Sequence, residues 1–143
     1  MARRSRAREV VLQLLYQHDQ NPAFPLAEAR QFLRRRLQDE ELAVWGEELY
    51  VGTLEHRTAI DEQLSRTAEN WSVHRMAVVD RNLLRLCVFE MTIQGQTPAR
   101  VVIDEAVELA KRYGSAESPA FVNGILDRLA PKPEASPPSP PAE

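Results

Sequence analysis

The sequence predicts an all-α protein of about seven helices in two packed groups, one on either side of Asn70. Apolar residues recur at helical spacing through most of the chain, and no stretch sustains the alternation of period two that a strand requires. Prolines, glycines and small polar residues interrupt this spacing at intervals, as expected at helix ends. The length of 143 residues and the hydrophobic content of 43% allow one domain with a substantial core.

Three helices are predicted before residue 70. The first covers about residues 5–18 and carries one apolar stripe. The second is expected at Leu26–Leu37, and the third is one long helix over about residues 42–68. Gly52 lies inside this third helix, where glycine costs roughly 1 kcal/mol relative to alanine. A close crossing with another helix would explain this glycine.

The later helices are predicted from their capping residues. Ser72 is placed to cap a short helix, and Asp80 to cap the next one, which Gly95 ends. Thr97-Pro98 and Ser118-Pro119 each offer a capping side chain followed by a proline at the first helical position. The sequence therefore indicates two further long helices after Gly95.

The chain is expected to form one compact unit of two subdomains followed by a tail. The N-terminal group of helices occupies about residues 3–69, and the C-terminal group about residues 70–130. Residues 131–143 hold six of the ten prolines and almost nothing apolar, so they are predicted to be a disordered, polyproline-like tail.

No motif in the sequence indicates catalysis, a cofactor or a metal. The five glycines form no phosphate-binding loop, and three scattered histidines with a single cysteine give no zinc spacing. Glu90 lies on the apolar stripe of its helix, so its carboxylate is expected to accept hydrogen bonds from a helix start or an arginine. The lone Cys87 and the lack of a secretory signal predict a cytoplasmic binding protein.

Positive charge is concentrated at the start of the chain, although the net charge is −3. Four arginines lie within the first eight residues, and Glu9 is the acid beside them: Arg3, Arg4, Arg6 and Arg8. A local cluster of this kind can hold a phosphate backbone even on an acidic protein. The sequence therefore predicts a nucleic-acid site here.

Three hydrophobic side chains are candidates for binding surfaces. Leu12 and Tyr16 lie four residues apart on the first helix, away from its apolar stripe, which suits either a partner interface or cover by another helix. Phe121 lies beside the apolar stripe of the last helix, near Gly124 and the backbone N–H groups at Ser118. It can stack a base or form the edge of the core, and both interpretations stay open.

Four segments of the chain resemble the NusB family of bacterial transcription antitermination factors. They are Arg6-Ala7-Arg8-Glu9 with Leu15-Tyr16, Val79-Asp80-Arg81-Asn82-Leu83-Leu84-Arg85, Asp104-Glu105-Ala106-Val107-Glu108-Leu109-Ala110-Lys111, and Phe121-Val122-Asn123-Gly124-Ile125-Leu126-Asp127. Their order along the chain is more specific than any one of them. The resemblance covers about residues 3–16 and 76–130, while residues 17–70 match only as a helical pattern.

The resemblance implies two three-helix bundles, no enzymatic activity and binding of boxA RNA together with the ribosomal protein NusE. It also implies assembly on RNA polymerase with other Nus factors, which supports antitermination and ribosomal RNA synthesis. With Arg3 from the basic cluster, the RNA-binding residues are expected to be Arg3, Arg4, Arg6, Arg8, Glu117, Ser118 and Phe121. With Leu12 from the hydrophobic pair, the partner-binding residues are expected to be Leu12, Tyr16, His74, Asp80 and Arg85.

Two alternatives accompany this interpretation. One is the NusB-like RNA-binding domain of ribosomal RNA cytosine methyltransferases, which would require a cofactor-binding Rossmann region where this chain carries its proline-rich tail. The other is a structural helical homodimer that associates through the surface used for partners.

Overall fold

Over the residues described by the computed structural model, 3–69 and 71–131, the chain forms seven α-helices and no strand. They are α1 (Arg3–Gln20), α2 (Leu26–Leu37), α3 (Glu40–Glu55), α4 (Arg57–Thr67), α5 (Val78–Val88), α6 (Ala99–Tyr113) and α7 (Ser118–Leu129). The all-α prediction is confirmed. Apart from Pro131, the predicted tail over residues 131–143 lies outside the described residues. Within the described ranges, no helix combines the length and apolar character needed to cross a membrane.

The predicted long helix over residues 42–68 is wrong, because the chain turns at His56. The backbone of His56 has φ −103° and ψ 12°, and its N–H donates to the carbonyl of Gly52 at 3.1 Å. Its ring Nδ1 also donates to that carbonyl at 2.9 Å, which closes the end of α3. The break lets α4 turn onto α5 and α7, where Ile60 and Leu64 are fully buried.

Helix α5 begins one turn earlier than predicted. Ala77 precedes its first residue, so Asp80 lies at the third helical position and makes no capping hydrogen bond. The helix continues as a π-helical segment (Phe89–Gln94) that ends, as predicted, at Gly95 with φ 67°. A positive φ of this kind costs glycine little, because glycine has no Cβ to clash.

The helices pack as two groups that share α1. Helices α1, α2 and α3 contact one another, while α5, α6 and α7 form the second group and α4 packs against α5 and α7. By packing, the division between the groups therefore falls near His56 rather than at Asn70. Helix α1 also packs on α5, and the predicted close crossing at Gly52 is confirmed, because an added Cβ would overlap the ring of Phe89.

Candidate nucleic-acid and partner interfaces

Three of the four predicted arginines lie exposed at the start of α1. Arg3 forms an ion pair with Asp39, the residue that caps α3. The guanidinium of Arg4 lies 4.5 Å from the ring centroid of Trp45, and Arg6 donates to the carbonyl of Arg36 at 3.4 Å. These contacts are at the surface, so the three charges remain accessible to a polyanion.

Arg8, the fourth arginine, is buried, which corrects its predicted contact with phosphate. Its side chain is 4% exposed and that of Glu90 is 0% exposed. Nε and Nη2 of Arg8 donate to the two carboxylate oxygens of Glu90 at 2.8 and 2.5 Å, and Nη1 donates to Glu105 at 3.3 Å. The expectation that an arginine satisfies Glu90 is confirmed. Arg8 therefore joins α1 to the end of α5 and to α6, and has no path to RNA.

The start of α7 is closed by its own turn. Ser118 is 1% exposed, and its hydroxyl accepts a hydrogen bond from the N–H of Ser115 at 3.0 Å. The N–H of Ser118 itself donates to the carbonyl of Ser115 at 3.1 Å, so the free N–H group predicted there is already used. Ser118 thus shapes the turn, while the neighbouring Glu117 is exposed.

Phe121 lies at the edge of the core beside an aromatic side chain that sequence analysis missed. Its ring meets that of Trp71 edge to face, with ring centroids 6.4 Å apart and an interplanar angle of 74°. Trp71 is 51% exposed in the connection between α4 and α5. The sequence signal available was a tryptophan among polar neighbours, Asn70 and Ser72, outside any apolar stripe.

Leu12 and Tyr16 line a hollow between α1 and the second helical group. Leu12 is 3% exposed, so the predicted exposed pair is wrong for this residue, whereas Tyr16 is 44% exposed. Leu12 is covered because α5 packs on α1 and because Gln13 donates to the hydroxyl of Tyr113 on α6. The hollow measures about 210 Å³ and is lined by Leu12, Gln13, Tyr16, Val79 and Tyr113.

Asp80, next to Val79 in the chain, carries an unused acceptor. The residue is 8% exposed, and among the described residues its Oδ1 atom has no hydrogen-bond partner. His74 is exposed on the 3-10 turn before α5, where its carbonyl accepts from Arg81 at 3.4 Å. The carboxylate of Asp80 is therefore largely enclosed, whereas His74 is open to solvent.

Arg85 is internal, which corrects its predicted place at a partner surface. It is 3% exposed, and its Nε and Nη2 atoms donate to Asp61 at 2.8 and 2.9 Å. Nη1 donates to Asp19 at 3.3 Å, so Arg85 links α5 to both α4 and α1.

Asp19 is the centre of this polar network. Arg81 donates to its two carboxylate oxygens at 2.8 and 2.9 Å, and Asn82 adds a further bond at 2.8 Å. Burial opposes ionisation of Asp19, but these hydrogen bonds and the positive charges of Arg81 and Arg85 outweigh it and lower the pKa to about 2. The C-terminal end of α1 is therefore fixed to α5.

Comparison with known proteins identifies the family. The NusB family profile matches residues 5–131. The transcription antitermination protein NusB of Sorangium cellulosum is 44% identical over 130 residues, which cover 91% of this chain and 93% of the relative. NusB of T. maritima superposes with a TM-score of 0.78 at 40% identity, covering 91% of each chain. A crystal structure of the antitermination factors NusB and NusE in complex with double-stranded RNA gives a TM-score of 0.80 at 25% identity, over 90% of this chain and 96% of that one. A match that extends over almost all of the helical chain, in both sequence and fold, shows that this protein belongs to the NusB family.

Proposed function

We propose that this protein is a transcription antitermination factor, without catalytic activity, that binds boxA RNA together with the ribosomal protein NusE. In this role it joins RNA polymerase and other Nus factors and supports antitermination and ribosomal RNA synthesis. The observation that carries the proposal is the separation of two surfaces on α1. Arg6 and Tyr16 are ten residues apart, roughly 15 Å along a helix axis. RNA and a protein partner can therefore occupy α1 at the same time.

The basic surface suits the RNA backbone. Arg3, Arg4 and Arg6 are exposed, and the first turn of α1 contains no acidic residue. The positive end of the helix dipole lies at the same place, which adds to the attraction for phosphate. Because the net charge of the chain is −3, this attraction is local to the start of α1.

The hollow beside Tyr16 suits a protein partner. It is lined mainly by apolar and aromatic side chains, and such side chains are enriched in protein interfaces. Asp80 follows Val79 of this lining in the chain and adds an acidic residue, 8% exposed, to this part of α5. We therefore assign this surface to a partner that inserts an apolar side chain into the hollow and places a positive charge near Asp80.

The test is binding of a labelled single-stranded boxA RNA, with and without NusE, against an unrelated RNA of equal length. We expect a preference for boxA RNA that increases when NusE is present. Equal affinity for both RNAs, unchanged by NusE, would refute the proposal.

Asp80→Lys tests the partner surface. Reversing this charge should weaken binding of NusE at least tenfold, because a basic side chain replaces the acidic one and removes the charge complementarity proposed with the partner. Binding of RNA alone should not change. Glu48→Lys, at an exposed position of α3, is the charge-matched control. If Asp80→Lys binds NusE as tightly as the control does, the partner lies elsewhere. A sizing column run on the same variants separates this partner surface from the alternative of a homodimer.

A further inference from the structure

A slot of about 290 Å³ lies between α7 and the end of α4. Its lining includes the aromatic side chains of Trp71 and Phe121 and the exposed side chain of Arg128. Trp71 is 51% exposed, although an aromatic side chain of this size buries a large apolar area when it is packed. The edge-to-face contact with Phe121 holds the exposed ring in place. The chain thus keeps a large aromatic surface open to solvent and fixed in orientation.

Gly124 lines the same slot, and no packing contact within the described part of the chain explains it. It lies in the middle of α7, where glycine is a poorer helix former than alanine. A Cβ added at Gly46 or Gly52 would meet a neighbouring side chain, Leu33 or Phe89, whereas a Cβ added at Gly124 would meet no atom of the described residues within 4 Å. Packing among residues 3–69 and 71–131 therefore does not require this glycine. A flat ligand lying against the helix backbone would require it.

The charge at the rim suits a nucleotide. Nη1 of Arg128 donates to the carbonyl of Thr67 at 3.0 Å, which fixes the guanidinium beside the slot. A guanidinium has five N–H donors in a planar fork, so the remaining donors can serve a phosphate oxygen. Glu69, on the same rim, offers a carboxylate that can accept from the amino group of a base.

We propose that the slot formed by Trp71, Phe121, Gly124 and Arg128 binds one unpaired nucleobase of RNA, stacked on Trp71 and lying over Gly124. This inference rests on the proposed RNA-binding function and specifies the conformation of the RNA. A base in a duplex already has its faces stacked on its neighbours, whereas an unpaired base can leave the strand and stack on an aromatic ring. The slot is continuous with Phe121, so it extends the predicted RNA surface from α7 to the connection before α5.

Two substitutions test the slot by binding of a single-stranded boxA RNA. Trp71→Ala should weaken binding about ten- to hundredfold, the usual effect of losing one stacked base, while Trp71→Phe should retain most of the affinity. Val101→Ala is the control, because it shortens an exposed apolar side chain far along the chain, on α6. This variant should bind RNA as the unchanged protein does. Because Trp71 is exposed, none of these variants should lose its fold.

Gly124→Ala should raise the melting temperature and lower the affinity for RNA. The melting temperature should rise by roughly 2–5 °C, because alanine favours the helix and its Cβ meets no neighbour. Affinity for the same RNA should fall at least fivefold, because the added methyl group would take space in the slot that the proposed base occupies. Asn123→Ala, at the exposed neighbouring position, is the control and should leave RNA affinity unchanged.

Fluorescence reports stacking directly. The chain has two tryptophans, the buried Trp45 and the exposed Trp71. Trp45→Phe therefore leaves Trp71 as the single source of tryptophan fluorescence. Adding the single-stranded RNA should quench its emission, whereas the fully paired duplex of the same sequence should bind more weakly and quench less.

The outcomes separate this inference from the function on which it rests. If the unchanged protein binds neither boxA RNA nor its duplex, the proposed function and the slot fall together. If it binds the single strand but Trp71→Ala and Gly124→Ala bind equally well, or if Trp71 emission does not change, only the slot is refuted. Equal affinity for the duplex would also refute it, because a paired base cannot enter.

Discussion

Replacing Arg8 by alanine separates the two roles that sequence and structure give to this residue. The substitution leaves the carboxylate of Glu90, which is 0% exposed, without its two hydrogen bonds from the guanidinium. Removing one partner of a buried ion pair usually costs about 3–5 kcal/mol, because the other charge stays buried and uncompensated. For a chain of 143 residues this corresponds to a fall in melting temperature of roughly 10–20 °C.

The assay is chemical denaturation of a mutant cycle. Arg8→Ala should lose the full amount, and Arg8→Lys somewhat less, because lysine keeps the charge but not the planar fork. The double variant Arg8→Met with Glu90→Leu should recover much of the stability, since two apolar side chains replace both charges. Arg4→Ala, at the exposed position one turn earlier, is the control and should cost at most about 1 kcal/mol. If Arg8→Ala instead lost RNA affinity and kept its stability, Arg8 would be a surface residue and the buried pair would be refuted.

Three further predictions follow from other parts of the structure. Replacing Arg3, Arg4 and Arg6 together by alanine should reduce the slope of log RNA affinity against log salt concentration by about 2, at roughly 0.7 for each single-strand phosphate contact. An unchanged slope in a salt titration would mean that RNA binds elsewhere. Gly52→Ala should lower the free energy of unfolding by about 1–3 kcal/mol although alanine is the better helix former, because its Cβ overlaps the ring of Phe89; an unchanged thermal midpoint would contradict that crossing. Asp19→Asn should cost at most about 2 kcal/mol of unfolding free energy at neutral pH, since folding lowers the pKa of Asp19 from 3.8 to about 2. This stabilisation is present above about pH 4 and is lost as the pH falls towards 2. The urea midpoints of the two proteins should therefore converge at that low pH.

Local sequence patterns predicted the helix bounds well where prolines or glycines mark the helix ends. Helix α2 has the predicted bounds, and Gly95 ends its helix as predicted. The break at His56 was missed because neither proline nor glycine marks it. A side chain closing its own helix end and the burial of Ile60 and Leu64 in another group decide that turn. These are tertiary causes, which local propensity does not contain.

Local sequence patterns predict the contacts of charged residues even less well, because the partners are distant in the chain. Arg4 and Arg8 are four residues apart, lie on one side of α1 and both approach the ring of Trp45, with guanidinium carbons 4.5 and 5.1 Å from its centroid. One is exposed and the other buried, and the difference depends on Glu90, 82 residues away in the chain. The sequence flagged Glu90 as a buried acid and Arg8 as a basic residue, but nothing local pairs them. Arg85 was misplaced for the same reason, since Asp61 and Asp19 lie on other helices.

The buried pairs explain how one helix can present two surfaces at a fixed distance. Arg8 fixes α1 to the end of α5, and Asp19 fixes it to Arg81 on the first turns of the same helix. Between these two anchors lies Tyr16, and before them lie the exposed arginines. Because both ends of α1 are held, the proposed RNA surface at its start and the proposed partner surface at Tyr16 lie at a spacing that these contacts stabilise. We therefore expect cooperativity between the two proposed ligands to come from direct contact of RNA with the partner, since allosteric coupling requires two states of the protein that the ligands distinguish.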